Sequence, residues 1–250
     1  AEAIPHLEAI LVASDGIMVA RGDLAVEVGN AAVPALQKRM IKLAKVHDKV
    51  VITATQMMES MITNPVPTRA EVSDVANAVL DGTDAVMLSA ETAAGKFPLE
   101  TVEEMAKICL AAEGAEDVEI DSDFKGQTFS RIDQSIAMGA LFTASHLGAK
   151  AIVAMTESGS TALWMSRRRV HIPIYALTTK LSSQRKMALF RNVSPLLMDT
   201  SADRDTALAE AENHLKNRGI VSSGDVYAIT CGEPMGSPGG TNMLKICKVD

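Results

Sequence analysis

DGIMVARGD (15–23), DKVVITATQ (48–56) and TDAVMLSAE (83–91) each run a short apolar stretch into small or polar residues. The runs begin near Ile17, Val50 and Ala85, at spacings of 33 and 35 residues. Helical patterns fill the gaps. Residues 31–46 place Val33, Leu36, Met40 and Leu43 at three- and four-residue steps, with Lys38, Arg39, Lys42 and Lys45 between them. That is one apolar and one charged face of a helix. Residues 71–80 read as a second helix. Residues 99–112 read as a third, entered through Pro98, because proline suits a first helical turn. Strand, helix and strand at this period predict parallel βαβ units, and unbroken apolar strands predict burial on both faces. A closed (β/α)8 barrel needs eight strands and about 250 residues. The pattern here stops near residue 112, so the units form either a small open sheet or the tail of a barrel.

Outward from that core the pattern changes. Residues 113–130 (EGAEDVEIDSDFKGQTFS) are acidic and polar with no sustained period, which predicts a linker. A second α/β series follows. Helices are predicted at 132–147, 160–169, 182–190 and 203–218, and strands at 150–155, 173–178, 193–198, 225–230 and 243–249. A short Gly/Pro loop joins the last two strands, so the final one is predicted to be an antiparallel edge. The fold class is therefore α/β, with βα units over 1–112, a linker over 113–130, and an open sheet of about five strands over 131–250.

Composition limits what the chain does. Its 250 residues carry 24 Lys and Arg against 31 Asp and Glu, a formal charge of −7. That balance argues against a general nucleic-acid binder, which needs a basic footprint. No apolar run approaches the ~20 residues that span a bilayer. The opening AEAIPHLEAILVASD has no basic start of a signal peptide. Three scattered cysteines (Cys109, Cys231, Cys247) suit a reducing cytosol better than a disulfide framework. An Ala at position 1 is what a processed chain, or a piece of a longer one, would show. The 14 methionines read as flexible core filler.

In open α/β sheets and barrels, ligands sit at the carboxyl ends of strands. The informative residues are those just past each apolar run: Ala20-Arg21-Gly22-Asp23-Leu24, Ala54-Thr55-Gln56 and Ser89-Ala90-Glu91-Thr92. All three sets are expected on one rim. Asp23, beside a glycine, is a plausible ligand for a hard cation such as Mg²⁺, held by one or two carboxylates and substrate oxygens. Its alternative is a helix N-cap. A helix starting at Gly22-Asp23 would aim free N–H groups at an anion. Thr55 offers a hydroxyl to a carboxylate or phosphate, or is a strand residue with its hydroxyl already satisfied. Glu91 is a second ligand or a carboxylate near a helix start. No GxxxxGK[ST], GxGxxG, HExxH or CxxC motif is present. In the second series, Thr156-Glu157-Ser158-Gly159-Ser160-Thr161 follows a strand and opens a helix, a turn suited to an anion. The Gly-rich loop 232–242 could close over it, or be only a hairpin turn.

These residues carry a resemblance. MVARGDLAVE (18–27), ITATQMMESM (52–61), NPVPTRAEVSDVANAVLDGTDAVMLSAETA (64–93), GKFP (95–98) and MTESGSTA (155–162) closely resemble pyruvate kinase. The resemblance implies the last three βα units of a (β/α)8 TIM barrel followed by the family's carboxyl-terminal α/β domain. It implies a cytoplasmic glycolytic enzyme, usually a homotetramer, that moves a phosphoryl group from phosphoenolpyruvate to ADP. Mg²⁺ is required, and K⁺ in many members. By motif, Gly22, Asp23 and Thr55 are substrate-binding residues, and Asp23 is also a Mg²⁺ ligand. The family's catalytic lysine, second Mg²⁺ carboxylate and K⁺ ligands match no residue here, so the chain alone is expected to be inactive. Thr156, Ser158, Ser160 and Thr161 fall at the turn that binds a sugar-phosphate or nucleotide effector. Ser160 stands where arginine is common, and Glu157 adds a negative charge. Arg21 is a subunit-contact candidate. The competing expectation is a non-catalytic sugar-phosphate-binding or assembly module centred on 113–250.

Overall fold

Three parallel strands, β1 (Gly16–Ala20), β2 (Val50–Ala54) and β3 (Ala85–Met87), lie in that order in one sheet. Helices α1 (Leu7–Ala13), α2 (Arg21–Val28), α3 (Val33–Val46), α4 (Arg69–Asp81), α5 (Ala90–Ala93) and α6 (Pro98–Gly114) alternate with them. The chain is seen here as a computed structural model that describes residues 1–115, 128–199, 203–236 and 239–250. It divides into two compact units, Ala1–Asp117 and Val118–Asp250. Of the expected linker, residues 116–127 lie outside the described residues, as do Ser237 and Pro238 of the Gly-rich loop.

Helix α3 buries Val33, Gln37, Ile41 and Ala44. The buried stripe is thus centred one position beyond the Val33-Leu36-Met40-Leu43 series, whose last two members pack at its margin. Val19 and Val51 meet Leu11, Ile41 and Ala44 on one face of the sheet. The other face is more open: Met18, in register with Ile52, is 51% exposed. Burial on both faces was expected, and the correction has a simple cause. Strand side chains alternate, and the helices of this core cover the Val19 face. A second core joins Met57, Met58, Met61, Val75, Ala78, Met105 and Ile108. Methionine fills irregular gaps of this kind.

Helix α4 starts at Arg69, earlier than its apolar period suggests. Thr68 Oγ1 accepts from the Glu71 N–H at 3.2 Å, and Glu71 Oε2 accepts from the Thr68 N–H at 2.8 Å. This reciprocal cap satisfies two otherwise orphaned donors.

The second unit has a five-stranded sheet in the order β6-β5-β4-β7-β8. Its elements are α7 (Ile132–His146), β4 (Ala151–Met155), α8 (Ser160–Ser166), β5 (Ile174–Thr178), α9 (Leu181–Met187), β6 (Val193–Leu197), α10 (Arg204–Asn217), β7 (Val226–Gly232) and β8 (Thr241–Lys248). Strands β4 to β7 run parallel to one another, and β8 is antiparallel to β7. All five residues of β4 are buried, as befits the central strand. On one face Val153, Met155, Tyr227 and Ile229 pack on Ala207, Leu208, Ala211 and Leu215 of α10. Trp164 of α8 lies beneath the Arg131 guanidinium, 5.1 Å from its centre to the ring. Arg131 also forms a two-pronged pair with the buried Asp133 carboxylate at 3.0 and 2.7 Å. Among the described residues no helix is long and apolar enough to cross a membrane.

Candidate functional site

The carboxyl ends of β1 and β2 meet. The Gly22 N–H donates to Thr55 Oγ1 at 2.9 Å, and the same hydroxyl donates to the Ala54 carbonyl at 2.7 Å. Thr55 and Gln56 both have positive φ, +65° and +53°. Two consecutive non-glycine residues in the left-handed region are uncommon, and for β-branched threonine the conformation is strained. Such strain persists where the surroundings enforce it, and it gathers at ligand sites.

Asp23 sits in the first turn of α2, which begins at Arg21. Its carboxylate is exposed and, among the described residues, has no hydrogen-bonding or ionic partner. It is not the N-cap, a position held by Ala20. Gly22 has no packing reason to be glycine: an added Cβ would come no closer than 3.7 Å to Thr55 Oγ1. Glycine in a helix costs roughly 1 kcal/mol relative to alanine. Bare backbone beside a free carboxylate suits close approach by an external group. The sequence expectation that α2 offers free N–H groups needs one correction. The Gly22 N–H is already spent on Thr55.

Glu91 does not join this rim. It is 2% exposed and accepts from the Ser89 N–H at 2.7 Å and the Met58 N–H at 3.2 Å. Its carboxylate fastens the loop after β3 to the loop after β2. Of its two sequence readings, the carboxylate near a helix start is the one observed. Arg21, a subunit-contact candidate, turns its side chain into its own unit and is 8% exposed. For Mg²⁺, Asp23 fits as one oxygen ligand. Among the described residues no group of three or more His, Cys, Asp or Glu side chains is placed to hold a metal.

The loop beyond Thr55 is tied down by Glu71. Besides capping α4, this carboxylate accepts from the Ser60 N–H at 2.7 Å and the Ser60 hydroxyl at 2.6 Å. Partial burial pulls its pKa up, but the bonds from Ser60 and Thr68 outweigh it and hold the carboxyl below its ordinary 4.5. A lowered folded-state pKa contributes stability above pH 4.5, lost as pH falls through the lower folded value. Thermal melts of the wild type and Glu71→Gln are therefore expected to differ most at neutral pH and to draw together as the pH falls below 4.5.

In the second unit the order β6-β5-β4-β7-β8 puts the topological switch between β4 and β7, where open sheets bind ligands. A depression there is lined by Thr156, Glu157, Ser160, Thr179, Met235 and Thr241, among others. The four hydroxyls at this turn divide into two pairs. Thr156 Oγ1 accepts from the Gly159 N–H at 3.0 Å, and Thr161 Oγ1 bonds Thr241 Oγ1 at 2.8 Å. Both threonines are buried, and a buried hydroxyl needs a partner. Ser158 is exposed and Ser160 half-exposed, their hydroxyls 3.1 Å apart. Glu157 pairs with Lys180 at 3.3 Å.

Comparison with known proteins follows the same division. A family model described as "Pyruvate kinase, barrel domain" matches residues 1–102, and one described as "Pyruvate kinase, alpha/beta domain" matches residues 134–247. The chain is 49% identical over 245 residues to pyruvate kinase II of Salmonella typhimurium, covering 98% of this chain and 51% of that protein. It is 47% identical over 252 residues to a pyruvate kinase of Haemophilus influenzae, covering 99% and 52%. The crystal structure of a pyruvate kinase from Cryptosporidium parvum matches with a TM-score of 0.91 at 36% identity, covering all of this chain and 50% of that one. The chain spans about half the length of the curated relatives it matches.

Proposed function

The chain belongs to the pyruvate kinase family, and from that premise we propose that it serves phosphoryl transfer from phosphoenolpyruvate to ADP. The observation that carries this reading is the rim itself. A strained Thr55 is bonded to the Gly22 N–H, and the free Asp23 carboxylate lies one residue away. In this reading Gly22 lets the substrate approach the backbone, and the Thr55 hydroxyl turns from Ala54 to a substrate oxygen. Asp23 would hold Mg²⁺, which neutralises charge on the phosphoryl group when bound. The phosphorus–oxygen bond to the enol breaks as a bond to the terminal ADP oxygen forms. The enolate left behind takes a proton at carbon and becomes pyruvate. The chain's contribution is positioning and charge. The resemblance assigns K⁺ no ligand among these residues. A homotetramer in the cytoplasm is the assembly and location this reading carries.

The turn at 156–161 would take a phosphate-bearing effector through Ser158 and Ser160, the two hydroxyls of the turn that are not buried. The rival reading, a binding or assembly module without catalysis, is not favoured, because the family match takes in residues 1–102 of the first unit as well.

The test uses protein purified natively, with intact mass and pyruvate formation from phosphoenolpyruvate, ADP and Mg²⁺ measured on one sample. Turnover is expected, from a species about twice 26.5 kDa or from this chain joined to a partner. Asp23→Asn should lower kcat/KM by roughly 10²- to 10³-fold, as loss of one preorganised charged group does. Native protein without turnover, or an Asp23→Asn form of full activity, would sink the proposal.

A further inference from the structure

Arg21 opens α2, yet its guanidinium lies among groups from the end of β2 and from α4. Nε donates to the Ala54 carbonyl at 3.3 Å and the Thr55 carbonyl at 3.1 Å. Nη2 donates to the Thr55 carbonyl at 2.6 Å and contacts Met57 Sδ. Nη1 pairs with Asp74 of α4. A cation this buried has to be paired, and Asp74 does that. Nε and Nη2 donate to the carbonyls of Ala54 and Thr55, just before and within the strained turn.

Those bonds have two effects. They hold residues 54 and 55 while Thr55 and Gln56 stay in the left-handed region, a conformation the chain does not favour by itself. They also give the Ala54 carbonyl a second donor. A hydroxyl has a single proton, and Thr55 spends its own on Ala54. To donate to a ligand, Thr55 must release that carbonyl, and a buried carbonyl left without a donor is costly. Arg21 Nε already points at it. We propose that Arg21 is the positioning residue of this rim: it fixes the left-handed turn and keeps Ala54 paired while the Thr55 hydroxyl swings to a ligand oxygen. The proposal rests on reading the rim as a substrate site.

The experiment is NMR on the isotopically labelled 250-residue chain, with oxalate plus Mg²⁺ as the probe and Arg21→Met and Arg21→Lys as variants. Without the probe, Arg21→Met is expected to speed exchange of the Gly22 amide at least tenfold. It should also move the Thr55 and Gln56 backbone shifts out of the left-handed range. Protection of the Val51 amide, inside β2, should be unchanged. Arg21→Lys, which still donates to a carbonyl, should recover part of the effect. With the probe, Arg21→Met should weaken binding at least tenfold. Unaltered Gly22 exchange and Thr55 shifts overturn the positioning role. So does loss of protection at Val51 together with Gly22, which would make Arg21 a general prop of the fold. If the probe-free signals respond but the wild type takes up no oxalate, the positioning role stands and the substrate-site reading falls.

Discussion

Produced by itself, the 250-residue polypeptide is expected to form no measurable pyruvate from phosphoenolpyruvate, ADP and Mg²⁺. In βα barrels the working groups come from the ends of several different strands. The described residues of the first unit bring three strand ends together. Their rim offers the Asp23 carboxylate, the Thr55 hydroxyl and the bare backbone at Gly22, with no lysine in the sets that follow β1, β2 and β3. Single groups aimed at the charge that develops in phosphoryl transfer are worth roughly 10²- to 10⁵-fold each. Losing the lysine and the second metal carboxylate that the family resemblance calls for should cost on the order of 10⁴-fold or more. The open face around Met18 points the same way, because a working barrel has a packed interior. The check is a coupled pyruvate assay on recombinant protein whose mass is confirmed at 26.5 kDa. Turnover from that species alone would mean these residues supply every catalytic group, and the assignment of roles above would have to be rebuilt.

Glu91→Ala is expected to be the most damaging single substitution in the first unit. It strips the partner from two backbone N–H groups, Ser89 and Met58, and Met58 is fully buried. Each orphaned donor costs about 1–3 kcal/mol, giving a loss of roughly 2–6 kcal/mol for the pair. For a unit of this size that is a Tm lowered by roughly 8–24 °C. The experiment also separates the two sequence readings of Glu91. A metal ligand would be a liability in metal-free protein, so its removal would leave Tm unchanged or raise it. A fall in Tm without metal identifies the clip between loops.

Much of this architecture is legible in the residues, and the exceptions have physical causes. The 33- and 35-residue spacing located β1, β2 and β3, because apolar runs between amphipathic helices leave few other arrangements. The final antiparallel strand followed from a loop too short for a crossover. Helix α2 was only conditional in the sequence, since Arg21–Val28 carries no sustained apolar period. The start of α4 was missed although Thr68 and Glu71 stand at the spacing of a reciprocal cap. Gly22 and Thr55 are expected on one rim, and the structure bonds them. The destination of the Arg21 side chain was not legible, because no local pattern tells a long cation whether to reach for solvent or for carbonyls 33 residues away. The same limit applies to Thr156 and Thr161. Their partners, Gly159 and Thr241, decide whether those hydroxyls face a ligand, and Thr241 is distant in the chain.

The stacking of Trp164 under Arg131 has a practical consequence for spectroscopy. Trp164 is the single tryptophan of the chain, and its two tyrosines, Tyr175 and Tyr227, also lie in the second unit. The unit that carries Asp23 and Thr55 has only Phe97 as an aromatic chromophore. Excitation at 295 nm therefore illuminates the second unit alone, and an emission melt would pass over complete unfolding of the first. A tryptophan placed at an exposed position such as Val26, in α2 beside the rim, would give that dark half a signal of its own.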